Sequence, residues 1–212
     1  VVPGSNPLEH IQVIKVQDTA GPDMNCPDDL IVSTDPFQCS ASLILPLPAS
    51  DDLCSETNFS ASVSSGYLME VEGVFSVYGL ELGTHEVTFV GRDECGKIAS
   101  CRFTVAVEDQ IQPTAVCNDD LHITVNTDQA TRVYAEDIDE GSSDNCALAK
   151  VEVRRQYLKD ESCQEIAPFM GDWGDYVDFD CCDINDSVRI VLRAIDIYGN
   201  ENICLLDVLV ED

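Results

Sequence analysis

The strongest constraint on the fold is a fixed interval of eight positions between aspartate and cysteine residues. Asp18 stands eight positions before Cys26, and Asp109 stands eight positions before Cys117. The same interval recurs at four further places, namely Asp93 to Cys101, Cys101 to Asp109, Asp196 to Cys204 and Cys204 to Asp212. Repeated spacing of this kind indicates a tandem array whose repeats share one fold.

The interval divides the chain into unit one (residues 19–109) and unit two (residues 110–212). Residues 1–18 end in "IQVIKVQD", which matches the last strand of each unit, so we interpret them as the last strand and linker of a preceding repeat. The chain also ends in phase with the interval, at "VED". We therefore interpret it as a segment of a longer array.

Both units show the alternation of apolar and polar residues that is typical of half-buried β-strands. In "SVRIVLRAID", Val188, Ile190 and Leu192 share one face, whereas Arg189 and Arg193 lie on the other. Besides this segment and "CRFTVAVED" (101–109), the predicted strands are 29–33, 39–45, 59–64, 85–92, 121–126, 131–136, 149–155 and 203–210. Units of about 100 residues with short strands and glycine-containing turns predict an all-β fold of two tandem immunoglobulin-like β-sandwich domains.

The charge balance excludes several kinds of partner. The chain has 40 acidic and 11 basic residues and a net charge of −29. Binding to nucleic acid needs a basic surface, so we expect no nucleic-acid partner. No apolar run approaches the ~18 residues that a membrane span needs, so we also expect no membrane insertion. So many carboxylates are, however, suited to a cation such as Ca²⁺, whose ligands are mostly oxygens.

Eleven cysteines in 212 residues indicate an oxidising environment and predict a protein that is secreted or displayed at the cell surface. Zinc is the rival interpretation, but the sequence has no Cys-x2-Cys pair and no histidine at ligand spacing from a cysteine. Cys26 and Cys117 open the first strands of their units, and Cys101 and Cys204 open the last strands. Because these points can lie at the same end of a sandwich, we predict the disulfides Cys26–Cys101 and Cys117–Cys204.

The remaining cysteines are assigned from their positions in the predicted loops. Adjacent Cys181 and Cys182 would point to opposite sides of an extended chain, so they need different partners. Cys39 is left without a partner when the others are paired. The predicted pairs are Cys146–Cys181 and Cys163–Cys182 in unit two and Cys54–Cys95 in unit one.

Several segments carry a family resemblance. Unit one contains "CPDDLIV" (26–32), "QCSA" (38–41), "ASDDLC" (49–54), "LGTHEVTFVGRDECG" (82–96) and "CRFTVAVED" (101–109). In this order and spacing they resemble the hyalin repeat (HYR), an immunoglobulin-like extracellular module. Unit two contains "PTAVC" (113–117), "AEDIDEGSSDNC" (135–146), "DYVDFDCCD" (175–183) and "IDIYGNENIC" (195–204). These segments resemble a sister repeat that is common in large surface proteins of Bacteroidetes.

The resemblance implies tandem arrays in long secreted or cell-surface proteins, where the repeats serve in adhesion or as stalks. It does not imply an enzyme. A hydrolase would need a nucleophile beside a base, and the three histidines stand in or beside predicted strands without such a partner.

The best candidate for a calcium site is the junction where unit one (residues 19–109) meets unit two (residues 110–212). We call this junction the seam. In an immunoglobulin-like unit, the loop before the third strand and the last hairpin lie at the end where the linker arrives. Carboxylates gathered there repel one another unless a cation or protons intervene. The alternative is that these residues only form turns and solvate the surface. The predicted ligands are Glu108, Asp109, Asp144, Asn145, Asp196 and Asn200.

Unit one holds a weaker copy of this arrangement, in which Asp18, Asp52 and Asp93 correspond to the acids of the seam. Lys97 stands where unit two has Asn200. Because an ammonium group cannot bind Ca²⁺ and would oppose its charge, we rank this copy below the seam.

The segment "PFMGDWGDY" (168–176) departs most from the pattern of unit one. It concentrates Phe169, Trp173 and Tyr176 among glycines. One interpretation is a loop whose aromatic rings cover the end of the sandwich. The other is a surface for glycans or for a neighbouring subunit, because exposed aromatic residues favour interfaces.

Together these patterns predict a non-enzymatic structural and adhesive segment of a long extracellular filament or adhesin. The expected partners are neighbouring repeats of the same chain, other copies in a filament, or cell-surface glycans. The alternative is a glycan-binding accessory module of a secreted enzyme.

Overall fold

The computed structural model describes residues 11–15, 18–52, 56–118, 120–125, 130–166 and 170–211. In these residues the regular structure is almost entirely β, apart from a one-turn helix α1 (Ala135–Ile138) and a 3-10 turn (Cys181–Asp183). The fold is therefore all-β, and it consists of two tandem immunoglobulin-like sandwiches, as the alternation of apolar residues predicted.

Unit one is built from nine strands in two main sheets. The four-stranded sheet has the order β2-β9-β8-β5, the three-stranded sheet has the order β3-β7-β6, and β1 pairs with β4 at one edge. The strands are β1 (Asp23–Asn25), β2 (Leu30–Ser33), β3 (Ser40–Ile44), β4 (Ala49–Asp51), β5 (Asn58–Val63), β6 (Tyr67–Val71), β7 (Val74–Glu81), β8 (Gly83–Arg92) and β9 (Ile98–Glu108).

Phe89 lies at the centre of the first core and is fully buried. Its ring centroid is 5.3 Å from that of Phe75 on the opposite sheet and 6.3 Å from those of Phe59 and Phe103 on its own sheet. Alternate residues of β8 point inward, so the period of two in the sequence directly produces this core.

Unit two has its own core. A four-stranded sheet of order β10-β15-β14-β12 packs on the pair β11-β13, and the fully buried side chains of Phe179, Ile138 and Ile190 fill the space between them. The strands are β10 (His122–Thr124), β11 (Thr131–Tyr134), β12 (Leu148–Arg155), β13 (Tyr176–Phe179), β14 (Ser187–Asp196) and β15 (Glu201–Glu211).

The first strand of the main sheet pairs in parallel with the last strand in both units. Leu30 of β2 lies opposite Val105 of β9, and His122 of β10 lies opposite Leu209 of β15. The remaining pairings within the sheets are antiparallel. The start and the end of each unit therefore run side by side.

The segment before unit one is only partly described. Ile11, Val13 and Ile14 are more than three-quarters exposed, and residues 11–15 form no strand. The other residues of the segment predicted as the last strand and linker of a preceding repeat, 1–10 and 16–17, lie outside the described residues. The division of the chain at residues 18 and 109 stays a prediction.

Four disulfides connect the described cysteines. Cys26 pairs with Cys101 and Cys117 with Cys204, which joins the start of each unit to its last strand. The pair Cys163–Cys182 closes a loop within unit two. These are the pairs expected from the sequence.

The fourth disulfide corrects the predicted assignment of Cys146. Cys146 pairs with Cys39 of unit one and not with Cys181, which is exposed. The reason is geometric: the loop before β3 and the loop before β12 meet at the seam, where the two Cα atoms are 4.5 Å apart. Cys54 lies outside the described residues, so the pair Cys54–Cys95 stays a prediction.

Candidate functional site

The seam begins where β9 ends. Asp109 follows the strand directly and is 7% exposed. Its Oδ1 atom accepts hydrogen bonds from the Thr34 hydroxyl at 3.0 Å and from the backbone N–H of Ile111 at 3.1 Å. This carboxylate is therefore held in place by the body of unit one and by the linker at once.

Unit two contributes Asp144 from the loop before β12. Its Oδ2 atom accepts hydrogen bonds from the backbone N–H groups of Cys146 at 2.8 Å and Ala147 at 3.1 Å. One carboxylate oxygen of Asp109, one of Asp144 and the sulfur of Cys146 all lie within 4.8 Å of one another. The seam thus brings together two acidic residues from different units.

Three buried oxygens at the seam are unusual because they have no hydrogen-bond partner among the described residues. They are Oδ2 of Asp109, Oδ1 of Asp144 and Oδ1 of Asn145. Since nearly all buried polar atoms in proteins are paired, unpaired carboxylate oxygens in a cluster indicate room for a ligand. A cleft of about 280 Å³ lined by both units opens beside Asp144 and Asn145.

Contacts that cross the seam hold the units together. The side-chain N–H of Asn145 donates to the Thr34 hydroxyl at 3.0 Å and to the carbonyl of Gln38 at 3.3 Å. The amide of Asn200 donates to the carbonyl of Asp109 at 3.0 Å. These bonds surround the Cys39–Cys146 disulfide, so the seam is joined both covalently and by hydrogen bonds.

The other predicted seam ligands have different surroundings. Glu108 is exposed and accepts a hydrogen bond from the Gln110 side chain at 3.2 Å. Asp196 is buried, but its Oδ1 accepts from the backbone N–H groups of Tyr198 and Asn200, and its Oδ2 accepts from the Asn200 side chain, each at 2.8 Å. Asp196 therefore shapes the last turn of unit two, and Asn200 acts as a donor.

The structure also brings together the three acidic residues of unit one that were predicted to form the weaker calcium site. One carboxylate oxygen of each of Asp18, Asp52 and Asp93 lies within 4.8 Å of the other two. Asp93 is 3% exposed, and its Oδ1 accepts from the backbone N–H of Lys97 at 2.7 Å. The Oδ2 atoms of Asp18 and Asp93 are buried without a hydrogen-bond partner in the described part of the chain.

The aromatic segment of unit two is engaged by arginines. The guanidinium groups of Arg154 and Arg193 lie over the half-buried ring of Trp173, 4.2 and 4.3 Å from its centroid. Tyr176 is 42% exposed, and Arg132 lies 3.5 Å from the centroid of its ring. Phe169 lies outside the described residues. Tyr176 consequently offers more open surface than Trp173 does.

A charged network supports the same face of unit two. Glu152 is 9% exposed and bonds to Lys150 and Arg193, each at 2.6 Å. The hydrogen bond from Lys150, together with that from Arg193, holds the pKa of Glu152 below its ordinary value although burial opposes this. Arg193 also reaches Glu201 at 2.8 Å. The network thus joins β12, β14 and β15.

Comparison with protein families finds a match for the first unit. The HYR domain family matches residues 17–107. The match covers the first unit and is shorter than half of the chain. No similarity to a curated protein reaches significance. The HYR match and the four described disulfides support an extracellular, adhesion-type repeat module.

Several solved structures resemble the chain at low sequence identity. The titin domains z1z2 in complex with telethonin are 12% identical and cover 92% of this chain and 98% of theirs, with a TM-score of 0.39. Dpr11 IG1 bound to DIP-gamma IG+IG2 is 9% identical and covers 90% of this chain and 99% of its own, with a TM-score of 0.40. Human mucin-like protocadherin EC1-2 gives 9% identity, 89% and 97% coverage and a TM-score of 0.37.

Sequence reasoning missed the contribution of the loop between β2 and β3 to the seam. Thr34, Gln38 and Cys39 all lie between β2 and β3 and all contact unit two. The odd number of cysteines assigned to unit one, which left Cys39 unpaired, was the available signal that a bond crosses between the units. Within the described residues, no helix is long and apolar enough to cross a membrane.

Proposed function

We propose that this chain is a tension-bearing structural and adhesive segment of a long repeat protein that is secreted or held at the cell surface. The observation that carries the proposal is the placement of the disulfides. HYR and immunoglobulin-like domains are typically non-catalytic, and a mechanical role uses the features that both units share.

A chain that is pulled at both ends carries tension along its shortest covalent route. From Asp18 this route runs to Cys26 and crosses to Cys101. It continues through the seam to Cys117, where it crosses to Cys204 and leaves along β15. The remainder of each sandwich lies beside the route and is not stretched.

The route is short compared with the chain. It contains 8 residue steps before the first crossing, 16 through the seam and 7 after the second, which is 31 of the 193 steps between residues 18 and 211. Tension therefore reaches the linker at the seam without unfolding either core. This is the behaviour that a stalk or filament needs.

The seam contacts make the pair of units stiff as well as strong. The Cys39–Cys146 disulfide lies beside the route, and the hydrogen bonds of Asn145 and Asn200 cross the same junction. Together they oppose bending and twisting between the units, which a single linker of 110–116 would not do.

Calcium at the seam would add to this stiffness. Asp109 and Asp144 supply one unpaired buried oxygen each, and Asn145 supplies a third beside them. A Ca²⁺ ion bound there would neutralise the two carboxylates and connect the units at a further point. Backbone carbonyls and water would have to complete its six to eight ligands.

The proposed partners are the adjoining repeats of the same chain and, in a filament, other copies of it. Cell-surface glycans are a further candidate, for which the exposed rings of Tyr134 and Tyr176, whose centroids are 5.9 Å apart, provide a surface.

Small-angle X-ray scattering of the full chain tests the stiff seam. We expect a narrow range of molecular lengths for the wild type and a broader range for the double variant Cys39→Ser/Cys146→Ser. The matched control is Cys163→Ser/Cys182→Ser, which removes a disulfide within unit two and should leave the distribution unchanged. Equal distributions for all three proteins would contradict a covalently stiffened seam.

A further inference from the structure

We infer that the stronger cation site of this chain is not at the seam but at the N-terminal end of unit one, where Asp18, Asp52 and Asp93 bind a divalent cation of the calcium type. The sequence ranks this cluster second because Lys97 replaces Asn200. The structure reverses this ranking of the two sites. Lys97 does bring an opposing charge, but it also leaves Oδ2 of Asp93 available as a ligand.

The last hairpins of the two units share one turn but differ in the hydrogen bonds that the Asn200 side chain donates in unit two. Asp196 accepts a bond from the backbone N–H of Asn200 at 2.8 Å, and Asp93 accepts the equivalent bond from Lys97 at 2.7 Å. In unit two the Asn200 side chain also fills Oδ2 of Asp196. The lysine side chain carries no amide, and Oδ2 of Asp93 has no partner among the described residues.

The Asn200 side chain makes a second hydrogen bond that Lys97 cannot reproduce with an amide. Asn200 donates its side-chain N–H to the backbone carbonyl of Asp109. Asp18 is the equivalent of Asp109 by the eight-residue interval. Replacement of the asparagine by Lys97 therefore removes a competing side-chain donor from the carboxylate of Asp93.

The donor sets of the two clusters also differ. The cluster of unit one offers three carboxylates, whereas the seam cluster offers two carboxylates and the sulfur of Cys146. That sulfur is bonded to Cys39, and Ca²⁺ binds oxygen in preference to sulfur. Three carboxylates within 4.8 Å repel one another strongly where burial limits screening, and a divalent cation removes this repulsion.

Close packing keeps Asp18 at the cluster. A Cβ atom at Gly21 would lie 2.9 Å from the carbonyl oxygen of Ile98, so only glycine allows the incoming chain to approach the start of β9 this closely. Asp18 is only three residues away and is half-buried. A bound cation would therefore connect the linker from the N-terminal side to the last hairpin of unit one.

Calorimetric titration of the chelator-treated full chain with CaCl₂ at physiological salt tests the site. We expect binding by the wild type and at least about tenfold weaker binding by Asp93→Asn and by Asp18→Asn, because each removes one of three ligand charges. Asparagine keeps the Oδ1 acceptor of either turn, so the melting temperature without calcium should stay unchanged. Asp28→Asn removes an exposed acid of the same unit and should bind as the wild type does.

Two variants at position 97 separate the role of the hydrogen bond from that of the charge. Lys97→Ala and Lys97→Asn both remove the ammonium group, but only asparagine can fill Oδ2 of Asp93. We expect Lys97→Asn to bind Ca²⁺ about fivefold or more weakly than Lys97→Ala. Equal or stronger binding by Lys97→Asn would contradict the inference.

The absence of calcium binding by the wild type, or unchanged binding by Asp93→Asn, would overturn the site. Binding that is lost only with Asp109→Asn would place the cation at the seam and would also overturn it. Neither result would affect the proposed tension route, which depends on the disulfides alone.

Discussion

Removal of the Cys26–Cys101 disulfide should lengthen the stretched protein by a defined amount. In the wild type the tension route of 31 steps extends to about 110 Å at ~3.5 Å per residue. The two folded units already span about 80 Å, because each 11-residue last strand is ~37 Å long. Force should therefore release no more than about 30 Å from the wild type.

The double variant Cys26→Ser/Cys101→Ser should transfer the tension to the seam disulfide. The shortest route then runs from Asp18 to Cys39, crosses to Cys146, and returns to Cys117 before the second crossing. It contains 57 steps, made of 21, 29 and 7, and extends to about 200 Å. The increase over the wild type is about 90 Å.

A quadruple variant that also lacks the Cys39–Cys146 disulfide tests whether Cys54 pairs with Cys95 in unit one. If Cys54 pairs with Cys95, the route of the quadruple variant contains 65 steps and extends to about 230 Å. Without that pair it contains 106 steps and extends to about 370 Å. The two outcomes differ by more than the uncertainty of the length per residue.

Single-molecule force spectroscopy between residues 18 and 211 measures these lengths directly. The control is the wild type under reducing conditions, which should release the whole of both units. An increment of 200 Å or more from the oxidised wild type would refute the tension route, because the two end-to-end disulfides would then not be carrying the force.

Three further predictions concern the core of unit one, the buried Glu152 of unit two and the aromatic residues of unit two. Phe89→Ala should lower the free energy of unfolding of unit one by about 3–5 kcal/mol and leave the calorimetric transition of unit two in place; a matching loss in both units would show that they do not have separate cores. The folded state lowers the pKa of Glu152, so its contribution is present at neutral pH and is lost as the pH falls below the ordinary glutamate pKa. Glu152→Gln should therefore destabilise the protein by about 2 kcal/mol at pH 7 and progressively less in denaturant titrations below pH 4.5, and a deficit that does not change with pH would contradict this reasoning. Tyr176→Ala should leave the melting temperature unchanged and remove any glycan-array signal, whereas Trp173→Ala should lower the melting temperature through its lost contacts with Arg154 and Arg193; a glycan signal that survives Tyr176→Ala would exclude this surface.

The sequence predicted those features that repeat within each unit. Alternation in β8 and β14 identified the buried faces, and the eight-residue interval placed Cys26 opposite Cys101 and Cys117 opposite Cys204. Both features depend on local geometry. Side chains alternate along a strand, and the first and last strands of each main sheet pair in a fixed register. The hairpin β6–β7 was missed, although Phe75 and Val77 alternate there with more exposed residues.

Features that depend on how the units are oriented could not be predicted in the same way. The pair Cys39–Cys146 requires the loop 34–39 to face the loop before β12, and no period in the sequence encodes that rotation. The role of Asn200 was misjudged for a related reason. Its side chain can donate or accept, and only the position of Asp196 beside it shows that it donates.

The disulfide between the units also has a consequence for biosynthesis. Cys39 precedes Cys146 by 107 residues, a delay of about 5–20 s at ordinary rates of translation. During that time unit one can complete its core but not its set of disulfides, and Cys39 remains exposed to incorrect partners such as Cys26. The two sandwiches therefore have separate hydrophobic cores but mature as a single oxidative folding unit.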